Sequence, residues 1–364
     1  MSKYLIEKAK DIAVEIPELF LMDVGASGGI NEKWRLWGEK LSGAGFDPIT
    51  SEVEKLNKSE VSNFTYHNFF VSRKESQKKE VSSKSNYQIR RTAAWMACKI
   101  LEEQQEQRFP FLKKNYDESA VKKVLKEIPE SPAQSTFASD DTAKNDPFLT
   151  YYQKRFASNQ DQAVTEKFIT LDEFSKLNSV ARCDFIKIDT DGHELAVLEG
   201  ALDTIRNKNV LGIEIECQFH GPNEGFDGCF SDIDQLLRKE GFSLFKLDPV
   251  YYSRCALPSK FLYKDLPAQN VSGQIQWADA LYLRDLADPK YGEKFNFKID
   301  ERALLNLAFI FDLYELCDCS AEIIINNIST KQNRELLDFL CEKFTGKKDY
   351  FLHMKNWLSN PLKD

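Results

Sequence analysis

Two short segments of this 364-residue chain combine residue types with chemical potential. In the first, Leu19-Phe20-Leu21-Met22-Asp23-Val24-Gly25-Ala26-Ser27-Gly28-Gly29, an apolar run ends on a carboxylate and passes straight into a glycine-rich turn. Glycines there permit unusual dihedrals and remove side chains, so backbone can approach a ligand closely. Small Ala26 and Ser27 leave further room, and Asp23 could hold a ligand ammonium directly or through water. Asp47 ends the next apolar run about twenty residues on, where an acidic side chain can accept protons from both ribose hydroxyls. The Gly25-x-x-Gly28-Gly29 spacing is not the dinucleotide G-x-G-x-x-G, which favours an adenosyl ligand other than NAD. A tight strand-to-helix connection with no ligand is the other use such a turn can have.

The second segment runs from Cys183 to Ala201, where Asp184-Phe185-Ile186-Lys187-Ile188-Asp189 leads through Thr190-Asp191-Gly192-His193 into a helical pattern. Asp189, Asp191, His193 and, on the following run, Glu216 fall at or just beyond C-terminal strand ends, where open α/β sheets bind ligands. Each could remove a proton from an attacking hydroxyl, and imidazole is suited to that near neutral pH. Each also has a structural use: His193 or Asp191 can cap or pack at the helix start, and Glu216 can pair with Lys187 on the neighbouring strand. Asp189, Asp191 and Glu216 could instead gather a hard divalent cation. The chain offers no compact metal motif, and no metal is expected.

These residues need a sheet beneath them. Apolar runs bounded by turn residues recur at Leu19–Val24, Ala44–Asp47, Tyr66–Val71, Phe185–Asp189, Val210–Glu216, Phe242–Leu247 and Ala280–Leu283, and most are separated by helix-compatible stretches. A seven-stranded, mostly parallel α/β sheet is expected, its last two strands pairing antiparallel at one edge because no helical period joins them. Residues 1–71 and 163–285 would form this domain. Residues 72–162 read as a helical insertion or lid, with helical pieces at Tyr87–Gln107 and Glu118–Ile128 and an aperiodic loop from Ser131 to Asn145. Residues 286–364 read as a helical extension that packs on the core, binds a partner or forms a homo-oligomer face.

Composition narrows the class. Apolar residues make up 42% and charged residues 29%, as in ordinary globular proteins. A net charge of -8 argues against a broad grip on nucleic acid. No run reaches the roughly 18 apolar residues that a membrane span needs. The N-terminus shows no secretory leader, and the eight cysteines form no CxxC pair, so a reduced, cytoplasmic setting is expected.

Taken together, the strand Asp184–Asp189, the following x-x-G-x-E, the Leu195-Ala196-Val197-Leu198-Glu199-Gly200-Ala201 helix, Thr170-Leu171-Asp172-Glu173-Phe174, Gly212-Ile213-Glu214-Ile215-Glu216 and Ala278-Asp279-Ala280-Leu281-Tyr282-Leu283-Arg284 resemble the signature of FkbM-type methyltransferases. The likeness spans about Phe20–Val71 and Val164–Arg284. It implies a Rossmann-like class I methyltransferase sheet, S-adenosylmethionine as methyl donor, and oxygen methylation of a sugar, glycan or other small metabolite. By position it implies that Asp23, Gly25, Ala26, Ser27 and Gly29 line the donor's amino-acid end, Asp47 its ribose and Ser72 its adenine edge. Two departures stand out: Asp47 replaces a more frequent Glu, and Asp191-Gly192-His193 stands where many members have Glu or Gln, Gly and a small residue. A catalytically silent scaffold that binds a protein would keep the fold but not donor binding. An NAD-dependent nucleotide-sugar oxidoreductase would carry a YxxxK pair, which is not found in the expected region.

Overall fold

The computed structural model describes residues 2–59, 63–73, 165, 167–190, 192–219, 228–252, 269–270, 273–328, 332–346 and 349–359. The chain opens with helix α1 (Leu5–Asp11), strand β1 (Leu19–Val24), a 3-10 segment (Glu32–Lys40), β2 (Leu41–Phe46), α2 (Thr50–Ser59), β3 (Phe64–His67) and β4 (Phe70–Val71). After residue 164 come β5 (Phe168–Ile169), α3 (Leu171–Leu177), β6 (Phe185–Ile188), α4 (Glu194–Glu199), α5 (Leu202–Asn207), β7 (Gly212–Gln218), α6 (Phe230–Lys239), β8 (Phe242–Tyr252), β9 (Gln269–Asn270) and β10 (Gln274–Arg284). Helices α7 (Tyr291–Phe295), α8 (Glu301–Leu313), α9 (Cys317–Asn327), α10 (Asn333–Thr345) and α11 (Tyr350–Ser359) close the described chain.

One sheet has the order β3-β2-β1-β6-β7-β10-β8-β9. Strands β3, β2, β1, β6 and β7 run parallel, and β10 is antiparallel to both β7 and β8. The expected α/β class and antiparallel pair are therefore present. Two details differ from expectation. The sheet has eight strands rather than seven, because the two-residue β9 pairs on β8, and the reversed strand β10 lies two places inside the edge. The run Tyr66–Val71 is also not one strand. Asn68 bonds back to the Asp47 carbonyl at 3.1 Å and to Thr50 at 3.0 Å, and the chain then leaves the main sheet to pair β4 with β5.

Strand alternation sorts the core. Met22, Val24, Ile186, Ile188, Ile213 and Ile215 point to one face, under α3 to α6. Leu19, Leu21, Phe185 and Leu283 point to the other, under α1, the 3-10 segment and α8. That second face is where the C-terminal helices prove integral. The 3-10 segment is short and covers the sheet chiefly with Trp34 and Trp37, both fully buried. Every residue from Ala303 to Leu313 is buried, with Phe309 edge-on to Trp37 and Asn306 accepting a 3.1 Å bond from the Trp37 indole. Asp312 joins α1 to the far end of the chain, accepting from Leu5 N at 2.7 Å and pairing with Lys343 at 2.7 Å.

The helical pieces and loop expected between residues 74 and 162 lie outside the described residues, as do Asp191 and the turn at residues 220–227. No helix among the described residues is long and apolar enough to cross a membrane.

Candidate active site

The glycine turn leaves β1 at the C-terminal edge of the parallel strands. Gly25 has φ +81°, and a Cβ there would lie 1.8 Å from the Asp189 carbonyl oxygen, so the β1 and β6 ends touch through bare backbone. The turn is fastened from several sides. Gly25 N and Ala26 N donate to the Phe46 carbonyl at 2.9 and 3.0 Å, Gly28 N donates to Glu52 at 3.0 Å, and Ile30 N donates to the Tyr66 hydroxyl at 3.1 Å. Tyr66 can lie across β2 only because position 45 is glycine: a Cβ there would meet its ring at 2.4 Å.

Asp23, the penultimate residue of β1, is almost wholly buried. Its Oδ1 has no hydrogen-bond partner among the described residues, the nearest cation being Lys187 Nζ at 3.6 Å. Burial pushes its carboxyl up to about 6, against the pull of Lys187. A buried acceptor left without a donor is costly unless a ligand supplies one. Asp47 follows β2, is buried and also rises to about 6 through burial, although Ile49 N donates to it at 2.7 Å. Two buried carboxylates at the ends of adjacent strands thus flank a turn shaped for close approach.

Beside the turn, Asp189 is half exposed and pairs with Lys187 at 3.3 Å. Glu216 accepts from Gln218 at 2.6 Å. His193 is buried at the N-cap of α4. The preceding loop is held by Glu194, whose carboxylate accepts from Thr190 N and Oγ1 at 3.1 Å and from Gly192 N at 2.9 Å. Ser72 follows β4, buried, with its carbonyl where a Cβ on Gly200 would fall, 2.3 Å away. Ala26 is buried, whereas Ser27 is exposed.

Lys187, for which a pair with Glu216 was one structural use considered, lies beside Asp23 and Asp189. Strand register sets Lys187 opposite Asp23 on one side and Glu214 on the other, so its charge falls between Asp23 and Asp189. Register also reveals a residue the motif reading passed over as chemistry: Asp279 of β10 lies opposite Glu216 of β7 and Asp248 of β8. It is open to solvent on one side, yet surrounded closely enough that burial pushes its carboxyl to about 6. Like charges directly opposite across strands are unfavourable; Asp248 is offset by Lys246 at 3.1 Å and Glu216 accepts from Gln218. Alternation in Gln274–Arg284 alone would have placed Asp279 on the same face as Leu281 and Leu283. Among the described residues no group of His, Cys, Asp and Glu is arranged to hold a metal ion.

Residues 97–244 match the family model of the methyltransferase FkbM domain. The match begins within the stretch read as an insertion and ends inside β8. No curated protein matches the chain. Among solved structures, the Streptococcus pneumoniae protein Sp1610, a candidate tRNA methyltransferase, aligns over 94% of this chain and 96% of its own at 10% identity, with a TM-score of 0.27. A likeness of that size adds nothing to the strand order.

Proposed function

We propose, from the premise that this chain carries a methyltransferase domain of the FkbM family, that it is an S-adenosylmethionine-dependent O-methyltransferase acting on a hydroxyl of a sugar, glycan or other small metabolite. One observation carries the reading: a buried Asp23 oxygen with no hydrogen-bond donor among the described residues, beneath a glycine turn that admits no side chain at Gly25. In this reading Asp23 holds the donor's ammonium, Gly25, Ala26, Ser27 and Gly29 border its amino-acid end, Asp47 takes the ribose hydroxyls and Ser72 marks the adenine side.

S-adenosylmethionine supplies a methyl group on a cationic sulfonium, an activated leaving group, so the protein has to orient the acceptor and receive its proton. His193 is the proposed base, with Asp189, Asp191 and Glu216 as the other groups at the strand ends able to orient or deprotonate a hydroxyl. Asp279 joins them as an acceptor-side carboxylate. The enzyme's setting in this reading is the cytoplasm, where thiols stay reduced; the six described cysteines are all free. Any homo-oligomer would use the outer helices, where Phe344, Phe351 and Leu352 are exposed.

Calorimetric titration with S-adenosylmethionine, S-adenosylhomocysteine and NAD tests the proposal. Saturable binding of the first two alone is expected. Absence of binding would end the enzyme reading in favour of a protein-binding scaffold. Given binding, His193→Ala should keep donor affinity and slow turnover by about 100-fold, the lower end for loss of a general base; an unchanged rate removes His193 from the mechanism.

A further inference from the structure

One hydroxyl links the end of α8 to the charged groups beside the glycine turn. Tyr314, the residue that ends α8, donates a 2.6 Å hydrogen bond to Glu214 Oε2. The same oxygen lies 3.4 Å from Lys33 Nζ, which sits 3.8 Å from the centroid of the Tyr314 ring. Lys33 belongs to the 3-10 segment that leaves the glycine turn, directly after the Asn31 cap. Glu214 is the register neighbour of Lys187, and Lys187 is the cation beside Asp23. Burial raises the Tyr314 hydroxyl well above its ordinary pKa, so it stays a proton donor.

We infer that Tyr314, Glu214 and Lys33 are a positioning unit for the donor site, holding the exit of the glycine turn and keeping Lys187 with Asp23. This rests on the donor reading given above, and adds that a residue at the end of α8, which touches no donor group, sets the affinity for the donor's charged amino-acid end. The physical step is competition for cations. With the tyrosine hydroxyl in place, Glu214 has a neutral donor and one lysine. Without it, Glu214 must draw more on Lys33 or on Lys187; the first disturbs the turn, and the second leaves Asp23 without its counter-charge.

Tyr314→Phe isolates this effect, since it keeps the ring over Lys33 and removes only the hydroxyl. The probes are S-adenosylhomocysteine, which carries the zwitterionic tail, and 5′-methylthioadenosine, which shares the nucleoside and lacks the tail. Tyr314→Phe is expected to weaken the first about fivefold while leaving the second within about twofold, the scale of coupling from residues that do not touch ligand. Equal weakening of both would reduce Tyr314 to a packing residue and overturn the inference, as would unchanged affinity for both. Wild-type protein that binds neither probe would instead overturn the donor reading, and the inference with it. Should Tyr314→Phe fail to fold, Lys33→Met must give the same selective loss or the inference falls.

Discussion

Asp23 and Asp47 carry carboxyls whose pKa is raised to about 6 by burial, above the ordinary value near 3.8. In the unfolded chain each ionises first, so stability present at pH 4 is lost as pH rises through about 6, by up to about 3 kcal/mol per group. Chemical denaturation of Asp47→Asn across pH 4 to 7 should show a smaller decline than wild type. Ligand binding runs the other way, because a protonated Asp23 cannot pair with an ammonium. Affinity for S-adenosylhomocysteine should therefore fall as pH drops below about 6, and Asp23→Asn should be weak and flat over the same range. Gly25→Ala should abolish donor binding and cost on the order of 2–4 kcal/mol of stability, through both a positive φ and a clash with the Asp189 carbonyl; a variant as stable as wild type would mean that the β1 and β6 ends are further apart than described. At this scale the buried carboxylates at the ends of β1 and β2 and the close approach at Gly25 were legible in apolar runs that end in acid and, after β1, in glycine. Lys33 and Glu214 were not, since their relation to Asp23 exists only across three strands and a distant helix.

Among elements, short apolar runs bounded by turn residues made β1 and β6 readable to within a residue, and Thr170 and Glu173 form the reciprocal cap that starts α3. The break between β3 and β4 was hidden, because Tyr66–Val71 contains neither proline nor glycine and the turn depends on Asn68 finding partners elsewhere. The extension of β8 to Tyr252 was hidden for a related reason: Pro249 reads as a strand ender, but it falls in the register with Ala278 and is tolerated there. The junction of β6 with α8 is more demanding. Asp184, fully buried, accepts from Phe20 N at 2.9 Å and pairs with Arg182 at 2.7 Å and Arg302 at 3.1 Å. Removing one member of a buried, hydrogen-bonded charge group leaves the others uncompensated. Asp184→Ala should cost about 3–5 kcal/mol in urea denaturation, and a loss under 1 kcal/mol would show that water replaces the carboxylate.

For the whole molecule, the helices after residue 285 were read as an addition, yet Leu304 to Leu313 share one continuous core with Leu5, Trp34, Trp37 and Phe185. Periodicity showed that these helices have an apolar side but not what that side covers, which depends on how little of the sheet face the 3-10 segment fills. Ending the chain at Asp285 should expose that face, and the shortened protein is expected to lose cooperative thermal unfolding; a sharp transition would mean that the sheet is stable without α8.

The bonds around Asp312 also bear on biosynthesis. Leu5 and Asp312 stand 307 positions apart, and Asn306 reaches back 288 positions to the Glu18 carbonyl. Chain closures of that span slow folding. A nascent chain that has finished β10 still shows one apolar face of its sheet until α8 clears the ribosome, on the order of several seconds at ordinary translation rates. A pause in translation before α8 should therefore send more of the protein to aggregates than a pause of equal length after α10.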